Sequence, residues 1–183
     1  MVTMELDLAA AAGPTPEVIR TDRLDLLPLT VGHAEEMAAV LDDPSLHTYI
    51  GGKPATVATL RSRYERMTAG SGDPAVGWLN WVVRLRAEHR LTGTVQATVT
   101  TTPATATAPV TRSAELAWVV GTPWQGRGIA TEAALGLADW LRTHGVPDLA
   151  AHIHPEHRAS AAVAAAIGLT PTDTWQDGER RWH

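Results

Sequence analysis

Trp124-Gln125-Gly126-Arg127-Gly128-Ile129-Ala130-Thr131-Glu132-Ala133 is the stretch on which the reading of this chain turns. Ahead of it, Ser113 to Val120 has the composition of a strand. Behind it, from about Gly128 to Thr143, Ile129, Ala133, Leu137, Trp140 and Leu141 recur as one buried helical stripe, and Gly145 falls where a left-handed cap ends such a helix. Glycines between a strand and a helix permit tight turns and leave backbone N–H groups uncovered, while the helix start adds partial positive charge. The segment is therefore a candidate cradle for a phosphate or diphosphate. It is no P-loop, because the Lys-Ser/Thr ending is missing. It also lacks the third glycine and the strand-end acid, about 20 residues on, of the dinucleotide fingerprint. A glycine-rich helix entrance that holds no ligand is the plain alternative.

The chain around it has 183 residues, which suits one domain at roughly 100 to 200 residues each. With 44% hydrophobic and 19% charged residues it can bury a core, which excludes wholesale disorder and fibrous repeats. The net charge of -5 leaves no broad cationic field, so nucleic acid is not an expected partner. The chain has no Cys, which removes thiolate nucleophiles, disulfides and Cys-ligated metals and fits a reducing, cytoplasmic compartment. No window of about 20 apolar residues offers a membrane span. Residues 1–17, with Glu5 and Asp7 before an Ala run, lack the pattern of a secretory signal and are expected to be a flexible tail ahead of a domain at 18–183.

Period and punctuation place the remaining elements. Val18 to Leu29 predicts one strand, Thr30 a cap, and Met37, Val40 and Leu41 a helix that stops near Asp43-Pro44. A second helix is expected over about Thr56 to Thr68, with Leu60, Tyr64 and Met67 on one side. Trp78 to Leu85 and Leu91 to Thr100 read as neighbouring antiparallel strands. Thr101 to Arg112, rich in Thr, Ala and Pro, is expected to be an exposed connection beside a cleft. A strand at Leu149 to Ile153, an Ala-rich helix from about Ala159 to Ile167 and a closing hairpin at Asp177-Gly178 complete the chain.

The residues of the opening stretch carry a resemblance. Gln125-Gly126-Arg127-Gly128-Ile129-Ala130 resembles the Gln/Arg-x-x-Gly-x-Gly/Ala acyl-CoA signature of the GCN5-related N-acetyltransferase (GNAT) family. Ile153-His154-Pro155-Glu156-His157-Arg158-Ala159-Ser160, followed by Ile167-Gly168-Leu169, is similar to the family's second motif, an Asn with a Ser three residues on and a Gly eleven residues on. Arg20-Thr21-Asp22-Arg23-Leu24, with Asp43-Pro44, resembles the RimJ/RimL-like branch that acetylates ribosomal-protein N-termini and its small-molecule relatives. The resemblance covers about 18–183. Two positions depart from it: His157 stands where members often carry Asn, and Ala164 where many carry a tyrosine acid.

The resemblance implies an α/β (α+β) fold, a single domain whose mixed, mostly antiparallel sheet is splayed between the family's strands 4 and 5. It implies an acyltransferase that moves acetyl from acetyl-CoA to a primary amine through a tetrahedral intermediate, without a metal and as a homodimer. Gln125, Gly126, Arg127, Gly128, Ile129, Ala130 and Thr131 would hold the diphosphate. Trp118, Val119 and Val120 would run beside the pantetheine, with an amide near Val119 facing the oxyanion, and His157 and Ser160 would border the thioester. A CoA-binding sensor or assembly domain without transfer activity is the alternative that the two departures admit.

Residue chemistry adds candidates. Glu115 shares a strand face with Ala117 and Val119 by the period of two and is the candidate base for an ammonium acceptor; an exposed strand glutamate is the other reading. Ser160 either returns a proton to the thiolate or caps the helix after His157, and Glu132 offsets the helix dipole. His152, His154 and His157 lack a carboxylate or thiolate to complete a metal set, so no metal is expected, and His154 is a reserve base. Tyr49, Trp78 and Trp81 are candidate acceptor contacts; the two tryptophans face opposite sides of their strand, so one belongs to the core.

Overall fold

The computed structural model describes residues 13–183. The strands are β1 (Ile19–Arg20), β2 (Leu24–Pro28), β3 (Val76–Leu85), β4 (Arg90–Thr102), β5 (Thr111–Val120), β6 (Asp148–Ile153), β7 (Pro171–Gln176) and β8 (Glu179–Trp182). The helices are α1 (Ala34–Val40), α2 (His47–Ile50), α3 (Val57–Ala69), α4 (Ile129–Thr143) and α5 (Arg158–Ala166). One sheet runs β1-β2-β3-β4-β5-β6-β8-β7. Every neighbouring pair is antiparallel except β5 with β6. This is the mixed, mostly antiparallel α/β sheet expected.

The single strand expected over Val18–Leu29 is two. The Thr21 N–H donates to the Leu24 carbonyl at 3.0 Å, closing a turn that folds Ile19 back on Leu26 and Arg20 on Asp25. Alternation alone hid the break, because Leu24 and Leu26 keep the strand period on both sides of it. Of the segment expected as a tail, residues 1–12 lie outside the described residues. Glu17 is tied to the domain: its carbonyl accepts from Trp81 Nε1 and its carboxylate from Trp140 Nε1, each at 2.8 Å.

Two cores sandwich the sheet. On one side α4 lays Ile129, Ala133, Leu137, Trp140 and Leu141 against the strands, with Trp81 edge-on to Trp140 at 5.3 Å. Each fully buried Leu or Ile in that stripe contributes roughly 1.5 to 3 kcal/mol. On the other side Met37, Val40, Leu60, Tyr64 and Val82 join α1 and α3 to the sheet. The connection expected over Thr101–Arg112 is shorter, residues 103–110, because Thr101 and Thr102 pair with Arg112 and Thr111 as the last rungs of β4 and β5; it is exposed but lines neither cavity described below. Among the described residues, no helix is long and apolar enough to cross a membrane.

What positions the site is the way β5 and β6 part. They pair only at Ser113 with Asp148, Ala114 with Leu149 and Glu115 with Ala150. Beyond that point β5 stays with β4 as far as Val120 opposite Gly93, while β6 turns to β8 from Ala151. The result is a V-shaped opening between residues 116–120 and 151–153. Gly93 lets β4 pack closely against the far end of β5, beside the open end of the V, since a Cβ there would overlap the Val119 carbonyl.

Candidate active site

The turn into α4 is built to point amides outward. Gly126 and Gly128 have φ of 71° and 75°, a left-handed backbone that a residue with Cβ adopts at a cost. The Gln125 side chain donates to the Val120 carbonyl at 3.0 Å and pins the loop to the end of β5. Among the described residues, none of the backbone N–H groups from Gly126 to Thr131 finds an acceptor. These donors, at the positive end of a 15-residue helix, form a concave site for an anion.

Side chains far away in sequence hold that turn in place. Glu132 accepts from Thr21 Oγ1 at 2.5 Å, from the Arg23 amide at 2.7 Å and from Arg23 Nε at 2.6 Å, and Arg23 also donates to the Arg127 carbonyl. Burial pushes the Glu132 carboxyl upward, yet these hydrogen bonds and the Arg23 charge win and hold it below its ordinary value. Glu132 is therefore an anchor for the Thr21–Arg23 turn as well as a partner of the helix dipole. On the opposite side Glu88 accepts from Trp124 Nε1 at 2.9 Å and from the Arg127 guanidinium at 2.7 Å. The Arg127 side chain, expected at the diphosphate, pairs here with Glu88.

From this turn a cavity of about 440 Å³ runs along the open edge of β5 toward α5. Trp118, Val119, Val120, Gln125, Gly126, Gly128, Ile129, Ala130, Thr131, His157 and Ser160 all line it. Of the residues expected to bind CoA, only Arg127 is missing from that lining. The Gly121 N–H donates to the Thr92 carbonyl, so alternation along the ladder turns the Val119 N–H toward β4 too and leaves those of Trp118 and Val120 facing the opening. The amide near Val119 able to meet an oxyanion is thus that of a neighbour.

His157, not Ser160, caps α5: its Nδ1 accepts from the Ser160 N–H at 3.2 Å. Burial, and the nearby His154, hold the His157 imidazole below its ordinary value. With Nδ1 an acceptor, the neutral ring carries its proton on Nε2. Among the described residues the Ser160 hydroxyl has no hydrogen-bond partner, and Ser160 lines the cavity. Ala164, the position of the family's tyrosine, is fully buried and offers no acid.

A second cavity of about 690 Å³ lies between the sheet and α2–α3 and meets the first at Tyr49, Trp118, Val119, His157 and Ser160. Tyr49, in the short helix α2, stacks obliquely on His157 at 4.4 Å and on His154 at 5.4 Å, so it stands at the junction. His154 spends its Nδ1 on the Glu156 N–H. Trp81 borders this cavity from the core, with its indole wholly buried, whereas Trp78 is 42% exposed and lines neither cavity. Glu115 lines neither, but its carboxylate lies 3.8 Å from Nδ1 of His152, which does line the cleft. The sequence presents Tyr64 only as helix packing; among the described residues its buried hydroxyl has no hydrogen-bond partner, and its ionisation is pushed up to about 12 by burial. Helical spacing signals such a core face and carries no information about the hydroxyl.

The family model described as "Acetyltransferase (GNAT) domain" matches residues 23–170. An acetyltransferase from Agrobacterium tumefaciens str. C58 shares the fold at TM-score 0.66 and 27% identity, over 92% of this chain and 94% of that one. RimL, a ribosomal L7/L12 alpha-N-protein acetyltransferase solved with coenzyme A, gives 0.70 at 13% identity, over 91% and 96%. The microcin C7 self immunity acetyltransferase MccE, in complex with acetyl-CoA and AMP, gives 0.66 at 15% identity, over 88% and 92%. No curated protein matches the sequence.

Proposed function

The chain belongs to the GNAT acetyltransferase family and is an acetyl-CoA-dependent acyltransferase, and from that premise we propose that it acetylates a primary amine held in the larger cavity. The observation that carries this reading is the continuity of the two cavities through the V between β5 and β6. The unspent amides of residues 126–131 hold the CoA diphosphate. Its pantetheine arm lies along Trp118 to Val120 as an added strand would, and the thioester reaches the junction near Tyr49, His157 and Ser160. An amine in the cleft attacks the acetyl carbonyl directly. Holding both reactants in one groove supplies much of the acceleration, and an outward amide of β5 stabilises the oxyanion. Glu115 provides the negative charge that draws a proton from the ammonium, and Ser160 returns one to the departing thiolate.

For the acceptor, a protein N-terminus and a small-molecule amine are both within the proposal. RimL acts on a ribosomal protein N-terminus, and the MccE structure holds AMP beside acetyl-CoA. The likeness to RimL, with the Arg20–Leu24 motif, supports a RimJ/RimL-like branch. We place the enzyme in the cytoplasm, which the absence of cysteine suits, and as a homodimer on the family resemblance.

The test is thiol release from acetyl-CoA with a panel of N-terminal peptides, amino-acid amides, polyamines and aminoglycosides. Turnover with any of them supports the reading. CoA binding without turnover on any would favour the sensor alternative.

A further inference from the structure

Resting on that reading, we infer that the group taking the ammonium proton is His152, with Glu115 a positioning residue behind it. The split of the sheet makes the assignment. Glu115 is paired with Ala150 at the last rung where β5 and β6 meet, so His152, two residues on, shares its face and is the first such side chain beyond the rung. His152 lines the acceptor cleft and its side chain is only 16% exposed, whereas that of Glu115 is 60% exposed and lies outside the cleft. The carboxylate approaches the Nδ1 edge of the ring, which leaves Nε2 for the cleft.

Charged groups of both signs surround the ring. Arg181 is the register partner of His152 on β8, and its Nε is buried without a hydrogen bond among the described residues. The ring thus has the Glu115 carboxylate 3.8 Å from Nδ1 and the Arg181 side chain as its neighbour across the β6–β8 ladder. The other ionisable groups lining the cleft are His47, Tyr49, Lys53, Arg63, Tyr64, His154, His157 and Glu179. In the reaction the ammonium passes one proton to His152, and the freed lone pair forms the C–N bond. The C–S bond then breaks, and the second nitrogen proton ends on the thiolate to give the amide and free CoA. The His152 proton leaves to solvent past the exposed Glu115.

The test follows kcat from pH 6 to 9.5 for the native enzyme, His152→Gln and Glu115→Gln, using the panel amine that turns over fastest. CoA affinity by calorimetry serves as the control for folding. Native kcat is expected to reach a plateau. H152Q is expected to fall about 100-fold at pH 7 and to climb steadily with pH, because only amine already deprotonated can react, while CoA affinity stays within threefold. E115Q is expected to lose about tenfold in kcat and keep the plateau. Should H152Q fail to bind CoA, His152→Asn replaces it in the same series.

A histidine variant with the native profile overturns the inference, as does a climbing profile in E115Q alone, which puts the proton on Glu115. Native kcat in E115Q removes Glu115 from the relay. Absence of turnover by the native enzyme on every amine is a separate result and overturns the transfer reading itself.

Discussion

Replacing Glu132 by Gln keeps an acceptor for Thr21 but removes the charge that meets the Arg23 guanidinium at 2.6 Å. The turn that carries Arg127 and Gly128 then loses its brace, so E132Q is expected to weaken CoA binding about tenfold by calorimetry with the fold intact. A fully native affinity would show that the brace is ornamental. Tyr64 makes the opposite kind of prediction. A buried hydroxyl without a partner costs roughly 1 to 3 kcal/mol. Tyr64→Phe should therefore melt at or above the native temperature while raising KM for the acceptor, whose polar group the hydroxyl is placed to meet. Unchanged KM would leave Tyr64 to packing alone. Neither role was legible in the sequence: Arg23 and Glu132 stand 109 positions apart, and only the fold joins them.

At the scale of elements, the start of α5 rests on one imidazole. His157→Asn keeps a side-chain acceptor at the cap and should melt near the native temperature, whereas His157→Ala should lose about 1 kcal/mol, or roughly 2 to 4 °C in a chain of this size. Differential scanning calorimetry separates the two. Gly93→Ala drives a methyl into the Val119 carbonyl, so it should cost about 1 to 3 kcal/mol and weaken CoA binding together, by displacing the end of β5 that lines the groove. The entrance of α4 was legible because its signal is local: glycines between an apolar strand and an amphipathic helix. The groove lining followed from it. The exit point of β6 was not legible, since it depends on where a three-rung parallel pairing stops and β8 takes over. For that reason His152 showed in the sequence only as one of three histidines, and Trp78 and Trp81 could not be told apart.

For the molecule as a whole, acid should act first at the β1–β2 edge of the sheet, where Asp25 and Glu132 both hold the turn at Thr21–Leu24. At β2 the Arg84 hydrogen bond, working against burial and helped by Arg86, holds the Asp25 carboxyl below its ordinary 3.8; at the entrance of α4 Glu132 lies below its ordinary 4.5. Each binds protons more weakly folded than unfolded. Their stabilisation is therefore complete above those ordinary values and is lost as the pH falls through the lowered ones. His33 and His157, both depressed chiefly by burial, add a shallower loss that begins as the pH drops through 6.5, where the unfolded chain charges first. Urea titrations should show stability level above neutrality, a modest decline toward pH 5 and a steep one below pH 4. A flat curve down to pH 3 would contradict these assignments.

The central claim is that one turn grips the cofactor's diphosphate, and backbone amide NMR reads that turn directly. On adding CoA to the ¹⁵N-labelled protein, the amides of residues 126–131 should show the largest shifts, with those of Trp118 and Val120 next. Saturation with those six amides unmoved, or no shift anywhere at millimolar CoA in a folded sample, would contradict the account.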